Sequence, residues 1–319
     1  MSIAFTFPGQ GSQSIGMGRD LADAFPAAAR VFEEVDDALG QKLSQVMWEG
    51  EEDELRLTAN AQPALMAVSL AAIRALEAEG VAVARDVAFV AGHSLGEYSA
   101  LAAAGTFTVS EAARLLRIRG DAMQTAVPVG EGAMAAIIGL DEAAVDEICR
   151  AASGGGMACQ IANDNGGGQL VISGAKPAVE TAMEAAKEKG ARRALALPVS
   201  APFHSEMMAP AAERMREALA AASLADPEVP LVANVTAAPV TEADEVERLL
   251  VEQVTGRVRW RESVSRLAAE GVTLAVEVGA GKVLTGLARR IEKDMETATC
   301  GTPDEVRAVA ERAAKGGSA

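Results

Sequence analysis

The hydrophobic positions of the chain change period repeatedly, and these changes predict alternating strands and helices. Short apolar runs typical of buried strands occur at residues 3–7, 87–91, 231–234 and 274–278. Apolar residues recur at helical spacing over residues 27–39, 64–78, 110–127, 205–222, 246–255, 262–269 and 283–293. This alternation predicts an α/β fold with a mostly parallel sheet.

The segment 128–198 has a different order of elements. Its pattern predicts strands at 133–140, 157–163, 169–173 and 194–198, with helices at 142–152 and 177–189. This β-α-β-β-α-β order is that of a ferredoxin-like unit. Pro128, Gly130 and Pro198 bracket the segment, as is typical of a boundary. We therefore expect a core formed by residues 1–127 and 199–319, with a small ferredoxin-like subdomain, 128–198, inserted.

A glycine-flanked serine follows the apolar run at residues 87–91. The motif Gly92-His93-Ser94-Leu95-Gly96 has the G-x-S-x-G pattern of a nucleophile elbow, in which a tight turn raises the serine above the edge of the sheet. Backbone N–H groups at the start of the next helix would face the hydroxyl and suit an oxyanion. An ordinary strand–helix turn is the alternative, because Gly, Ala and Ser are common in this chain.

A serine hydroxyl becomes a good nucleophile only when a neighbouring base accepts its proton, and the chain has two histidines. His93 adjoins Ser94 in the turn, so its side chain should project elsewhere. His204 is therefore the candidate base, with a purely structural histidine as the alternative. No Asp or Glu occupies an obvious triad position, and a carbonyl oxygen is the alternative group that could orient the imidazole.

Composition narrows the class of protein. The chain has 319 residues, half of them hydrophobic, which is enough for a large core. Its formal net charge of -16 argues against a nucleic-acid surface and against attraction to anionic lipid. The cysteines Cys149, Cys159 and Cys300 have no C-x-x-C spacing, so no disulfide framework or metal site is indicated. The N-terminus has no basic leader pattern, and we expect a cytoplasmic monomer.

Several motifs together resemble the malonyl-CoA:acyl carrier protein transacylase family. They are Gly9-Gln10-Gly11-Ser12-Gln13, Gly92-His93-Ser94-Leu95-Gly96-Glu97, Arg119 in Arg-Ile-Arg-Gly, Phe203-His204 and residues 277–287. The resemblance covers nearly the whole chain. It implies an α/β-hydrolase-like core with an inserted ferredoxin-like subdomain, in agreement with the element order. It also implies transfer of a malonyl group from malonyl-CoA to the phosphopantetheine thiol of acyl carrier protein, for fatty acid synthesis and without a cofactor.

The resemblance also implies roles for individual residues. Ser94 would be the acyl-accepting nucleophile and His204 its general base. The backbone N–H groups of Gln10 and Leu95 would form the oxyanion hole. The main-chain carbonyl of Gln253 would orient the histidine.

Two further residues would select the substrate. Arg119 would hold the malonyl carboxylate by two parallel N–H···O bonds. Its predicted helix also carries Arg114 and Arg117, so a solvated basic helix is the alternative. Phe203 resembles malonyl-selective members, in which bulk near the second carbon leaves little room for a methyl branch. Packing alone is the alternative for Phe203.

An acidic carrier protein would be repelled by this acidic chain at long range, so docking needs a local positive face. Two basic groups are candidates: Lys187, Lys189, Arg192 and Arg193 at the end of the subdomain, and Lys282, Arg289, Arg290 and Lys293 on the last core helix. Ordinary solvated helix faces are the alternative.

Two rival functions stay open on the sequence. A serine esterase or thioesterase would use the same elbow and pass the acyl group to water, but a hydrolase of neutral esters has no use for a buried Arg119. A non-catalytic scaffold that binds acyl carriers would retain the elbow without its chemistry.

Overall fold

The computed structural model describes residues 1–199 and 201–316. Its strands are β1 (Ile3–Phe7), β2 (Phe89–Gly92), β3 (Gly132–Ile138), β4 (Cys159–Asp164), β5 (Gln169–Ala175), β6 (Arg193–Ala196), β7 (Leu231–Val232), β8 (Pro239–Val240), β9 (Leu274–Val278) and β10 (Glu296–Cys300). They form two separate sheets.

The helices lie between and after these strands. They are α1 (Arg19–Ala24), α2 (Pro26–Leu39), α3 (Leu43–Glu49), α4 (Glu52–Arg56), α5 (Thr58–Ala78), α6 (Val83–Asp86), α7 (Gly96–Ala103), α8 (Val109–Thr125), α9 (Glu142–Ala152), α10 (Lys176–Glu188), α11 (Ala209–Ala220), α12 (Ala243–Thr255), α13 (Trp260–Ala269), α14 (Val283–Ile291) and α15 (Pro303–Gly316). A short 3-10 helix at Glu206–Met208 precedes α11. Within residues 1–199 and 201–316, no helix combines the length and apolar character needed to span a membrane.

The larger sheet has the strand order β10-β9-β1-β2-β7-β8. All its pairs are parallel except β7 with β8, which confirms the predicted mostly parallel sheet. Along β1, Phe5 and Phe7 face the core that contains α5, whereas Ala4 faces the core that contains α13 and α14. Helices therefore cover both faces, as parallel sheets require. Phe7 pairs with Gly92, so the carboxyl ends of β1 and β2 lie side by side.

The smaller sheet is antiparallel, with the order β4-β5-β3-β6. Helices α9 and α10 pack against it and against each other, and this confirms the predicted ferredoxin-like unit. The unit has its own hydrophobic core, which includes Ala135, Ile137, Val145, Ile148, Leu170, Ile172, Val179 and Ala182. The opposite face of the smaller sheet adds Met134, Ala162 and Val171 to the large core, so the unit has its own core and also packs against the rest of the chain.

Pro63 lies further inside its helix than the sequence predicts. The sequence predicts Pro63 in the first turn of a helix over residues 64–78, but α5 begins at Thr58 and Pro63 lies inside it. The additional turn is buried against α8, so closely that a β-carbon on Gly120 would lie 2.7 Å from the Cα of Ala59. Tertiary packing of this kind outweighs the hydrogen bond that proline removes.

The end of the chain differs from the expectation in part. Residues 315–319 are expected to be frayed, but Lys315 and Gly316 form the last residues of α15. Residues 317–319 lie outside the described part of the chain. Strand β10 and helix α15 have no counterpart among the predicted elements.

Candidate active site

Ser94 lies in a strained turn between β2 and α7. Its φ is 54°, a left-handed conformation that costs a non-glycine residue about 1–3 kcal/mol. A β-carbon on Gly92 would lie 2.0 Å from the carbonyl oxygen of Gly96, and one on Gly96 would lie 2.2 Å from that of Phe7. Both flanking positions therefore require glycine, and the backbone holds Ser94 at the carboxyl edge of the sheet.

His204 is close enough to accept the proton of Ser94. Its Nε2 lies 2.8 Å from the Ser94 Oγ, and its Nδ1 lies 2.8 Å from the carbonyl oxygen of Gln253 and 3.1 Å from that of Gly256. Carbonyls only accept hydrogen bonds, so Nδ1 carries the proton and Nε2 presents a lone pair to the serine. Burial, with the nearby charge of Arg119, lowers the pKa of His204 to about 3. The imidazole is therefore neutral at neutral pH.

Arg119 is buried beside the serine, with 1% of its surface exposed. Its guanidinium donates to the Oε1 of Gln62 at 2.9 Å, to the Oε1 of Gln253 at 2.7 Å and to the Oγ of Ser94 at 3.2 Å. Among the described residues it forms no salt bridge, and its Nε has no partner. This burial contradicts the alternative of a solvated residue. A buried cation whose hydrogen bonds go only to neutral oxygens is suited to bind an incoming carboxylate.

Of the two residues expected to form the oxyanion hole, Leu95 lies in the elbow and Gln10 lies in the loop that contacts it. The N–H of Leu95 has no acceptor within the part of the chain that the structure describes. Gln10 is exposed in the loop after β1, and this loop contacts the elbow, because a β-carbon on Gly9 would lie 2.8 Å from the carbonyl oxygen of His93. Both positions are compatible with N–H groups that face the same oxyanion.

Phe203 immediately precedes the base. Its side chain is 9% exposed and belongs to the large hydrophobic core. The next residue, His204, has a φ of 56°, so the backbone turns sharply after Phe203. Packing and a role beside the substrate are both compatible with this position.

Asn234 and Glu97 support the elbow. Glu97 belongs to the quoted elbow motif, but neither residue was given a role from the sequence. The Oδ1 of Asn234 accepts the N–H of Ser94 at 2.9 Å, and its Nδ2 donates to the carbonyl oxygen of Gly92 at 2.6 Å. Glu97 accepts the N–H of Asn234 at 3.1 Å and a hydrogen bond from the side chain of Gln253. Burial raises the pKa of Glu97 to about 7. The sequence signal of Asn234 is a polar residue that follows the apolar run of β7 at the carboxyl edge of a parallel sheet, and that of Glu97 is an acidic residue in the first turn of the helix after the elbow.

His93 projects away from the reacting hydroxyl, toward the small subdomain. Its Nε2 lies 2.9 Å from the Oδ1 of Asn165, which follows β4, and its ring contacts that of Trp260. The elbow is therefore tied to the loop between β4 and β5.

The structure places the docking candidates on the surface, outside the cluster around Ser94. Lys189 forms a salt bridge of 2.6 Å with Glu147. Arg193 is exposed at the start of β6, and Lys282 is exposed immediately before α14. Arg290 is exposed near the end of α14. A metal site has no support in residues 1–199 and 201–316, where no three His, Cys, Asp or Glu side chains come together.

Comparisons with known proteins agree with this geometry. The curated malonyl CoA-acyl carrier protein transacylase of Bacillus subtilis (strain 168) is 47% identical over 304 residues, 95% of each chain. The crystal structure of an acyl-carrier-protein-S-malonyltransferase from Bartonella henselae is 60% identical, with a TM-score of 0.97 over 98% of this chain and 100% of that one.

A further solved structure contains a partner. It is a malonyl-transacylase in complex with its type II PKS acyl-carrier protein, 41% identical to this chain, with a TM-score of 0.94 over 98% of this chain and 100% of that one. The family model for the acyl transferase domain matches residues 4–314. The chain belongs to the acyl transferase domain family.

Proposed function

We propose that this enzyme transfers a malonyl group from malonyl-CoA to the phosphopantetheine thiol of an acyl carrier protein, and so supplies fatty acid synthesis. The observation that carries the proposal is the buried guanidinium of Arg119, 3.2 Å from the Ser94 hydroxyl and without a carboxylate partner in the described chain. The relatives named as malonyl transferases support the same substrate.

In the first half-reaction, the Oγ of Ser94 attacks the thioester carbonyl while the Nε2 of His204 accepts its proton. The N–H groups of Leu95 and Gln10 stabilise the oxyanion. The carbonyls of Gln253 and Gly256 hold the Nδ1–H of the resulting imidazolium. The C–S bond breaks, and coenzyme A leaves as a thiol with the proton from His204.

The second half-reaction reverses these steps with a different thiol. His204 accepts the proton of the phosphopantetheine thiol, and the thiolate attacks the malonyl-serine ester. When the ester bond breaks, the proton returns to the Oγ of Ser94. Protein groups supply every proton transfer, so we propose that no metal or redox cofactor takes part.

Selectivity for malonyl follows from the proposed binding mode. Arg119 pairs with the free carboxylate, which a plain fatty acyl chain lacks. Phe203 restricts the space beside the second carbon, so that a methyl branch fits poorly. One methyl group contributes only about 1–3 kcal/mol of discrimination, so Arg119 contributes more to selectivity than Phe203.

We also propose the domain division 1–127 with 199–319 for the core and 128–198 for the subdomain. The extent of the smaller sheet, from Gly132 to Ala196, supports it. We also propose a monomer, because the arrangement around Ser94 needs no residue from a second copy of the chain. Both proposed substrates are soluble molecules, which supports a cytoplasmic location.

Intact-mass measurement tests this function. We expect malonyl-CoA alone to add one malonyl group to the protein, and holo acyl carrier protein to remove it with formation of malonyl-carrier. Ser94→Ala should remain unlabelled, whereas Ser99→Ala, which removes another hydroxyl of the same turn and helix, should label normally. Loss of the adduct to water without a carrier would favour a thioesterase, and an absent adduct in the wild type would favour a scaffold.

A further inference from the structure

Gln160 of the small subdomain extends from β4 to two segments of the core. Its Nε2 lies 3.3 Å from the carbonyl oxygen of His204 and 3.2 Å from that of Thr255. Its Oε1 accepts the N–H of Glu206 at 3.0 Å. One side-chain amide therefore contacts the segment that carries the candidate base and the segment at the end of α12.

These two segments meet at the hydrogen bonds that orient the imidazole. Thr255 lies between Gln253 and Gly256, whose carbonyl oxygens both accept from the Nδ1 of His204. Gln160 thus binds the backbone on both sides of the bonds that fix the tautomer and direction of the ring. His204 has a left-handed φ of 56°, a conformation that persists in a non-glycine residue only where its surroundings determine it.

We propose that Gln160 is a positioning residue for His204, through which the small subdomain fixes the orientation of the base. The inference rests on the proposed function, because it concerns the same proton transfer. The Gln160 side chain forms no hydrogen bond with Ser94 or with the imidazole of His204; its partners in the described chain are backbone groups. It acts by holding two backbone segments in register.

The subdomain remains attached to the core without this amide. The N–H of Asp164 donates to the carbonyl oxygen of Val258 at 2.9 Å, and the N–H of Val258 donates to that of Ala162 at 2.8 Å. Arg261 also forms a salt bridge of 2.7 Å with Asp164. Removal of the Gln160 amide should therefore loosen the base without separating the two units.

The test compares Gln160→Met with Gln169→Met in single-turnover acylation by malonyl-CoA. Both variants replace an amide by a side chain of similar length, but the side chain of Gln169, on the adjacent strand β5, has no hydrogen bond within the described chain. We expect Gln160→Met to lower the acylation rate constant about tenfold, because a loosened base spends less time in line with the hydroxyl. The apparent affinity for malonyl-CoA should change less than about twofold, and Gln169→Met should match the wild type.

NMR of the histidine rings distinguishes positioning of His204 from a general loss of structure, because a general loss would change the signals of both histidines. The chain has two histidines, so isotope-labelled protein gives signals from only two rings. In Gln160→Met the Nδ1–H of His204 should exchange faster with water, while His93 stays as in the wild type. Equal acylation rates for the two Met variants, or an unchanged His204 signal, would overturn the positioning role.

A second variant guards against a folding defect. Gln160→Asn keeps a polar amide that is one methylene too short to reach both segments, and it should show the same loss. Full acylation by Gln160→Asn would also overturn the inference. A wild-type protein that forms no malonyl adduct would instead reject the proposed function, and the NMR comparison would still decide the role of Gln160.

Discussion

The guanidinium of Arg119 donates a hydrogen bond of 3.2 Å to the Oγ of Ser94. Its other donated hydrogen bonds go to the side-chain oxygens of Gln62 and Gln253, which are neutral. The positive charge is therefore buried next to the candidate nucleophile, with no carboxylate paired to it in the described residues. A substrate with its own carboxylate supplies the missing charge, and a neutral acyl group leaves it unpaired.

Arg119→Ala should lower kcat/KM for malonyl-CoA by roughly 10²–10³-fold, because one partner of a desolvated ion pair is removed. The same change should increase the relative use of acetyl-CoA, since no buried cation then remains unpaired. Arg117→Ala is the matched control, because Arg117 lies on the same helix but bonds to Asn60 and Gln41. Steady-state kinetics with both thioesters measures the effect. Equal losses for the two substrates would mean that Arg119 has only a structural role.

His204→Ala should slow acylation of Ser94 by about 10²–10⁴-fold, the usual contribution of a general base. The ratio of wild-type to variant rates should be the same at pH 6 and pH 8, because burial holds the pKa of His204 near 3 and the base is neutral at both. Rapid-quench measurement of the malonyl adduct gives both rates. A ratio that falls several-fold at pH 6 would show that His204 titrates close to its ordinary pKa.

The pKa of Glu97, raised by burial from 4.5 to about 7, makes folding depend on pH. Below pH 4.5 both states keep the proton. As the pH rises toward 7 the unfolded chain releases it first, so the free energy of unfolding falls by up to about 3 kcal/mol. Glu97→Gln should remove this dependence and lower the baseline stability, because the amide NH2 replaces one of the two oxygens that accept from Asn234 and Gln253. Urea denaturation between pH 5 and 8 tests the slope, and parallel curves would refute the raised pKa.

Motifs of a few consecutive residues, and the small number of histidines, were enough to predict the nucleophile and its base. The elbow needs only Gly92, Ser94 and Gly96 in one turn, and His204 followed from the scarcity of histidine. Asn234 could not be predicted in this way, because it lies 140 positions from Ser94 and meets it only through the pairing of β2 with β7. Gln160 depends likewise on how the subdomain sits against α12.

The fold was likewise predicted where an element has its own hydrophobic pattern and missed where the element depends on contacts with distant residues. Strand β9 is apolar except for Glu277 and was predicted with its correct bounds, since both of its faces are covered. Strand β10 is an edge strand with the sequence Glu-Thr-Ala-Thr-Cys, and four of its five residues are at least partly exposed, so it has no hydrophobic pattern to detect. The role of β10 follows from its parallel register with β9 rather than from its own composition.

The two proposed docking groups lie on opposite sides of one glycine loop. A β-carbon on Gly139 would lie 2.9 Å from the side chain of Arg192, and the N–H of Gly139 donates to the carbonyl oxygen of Gly168. On the other side, a β-carbon on Gly167 would lie 3.5 Å from the Cδ of Arg290. This loop begins at Asn165, the partner of His93 beside the elbow. A carrier protein that contacts both groups would therefore cover the loop that is joined to the elbow through the contact of Asn165 with His93.

Arg193→Glu combined with Arg290→Glu should raise the KM for holo acyl carrier protein about tenfold or more, because it places repulsive charge on both sides of this loop. Acylation by malonyl-CoA should change little, since neither side chain contacts Ser94.

The matched control is Arg30→Glu with Arg74→Glu, which changes the net charge equally. Arg74 lies near the end of α5, toward the amino end of β2 and away from the elbow. The two half-reactions are measured separately for each variant. Similar KM values for both double variants would mean that net charge alone acts, and equal damage to both half-reactions would assign Arg193 and Arg290 to structure rather than docking.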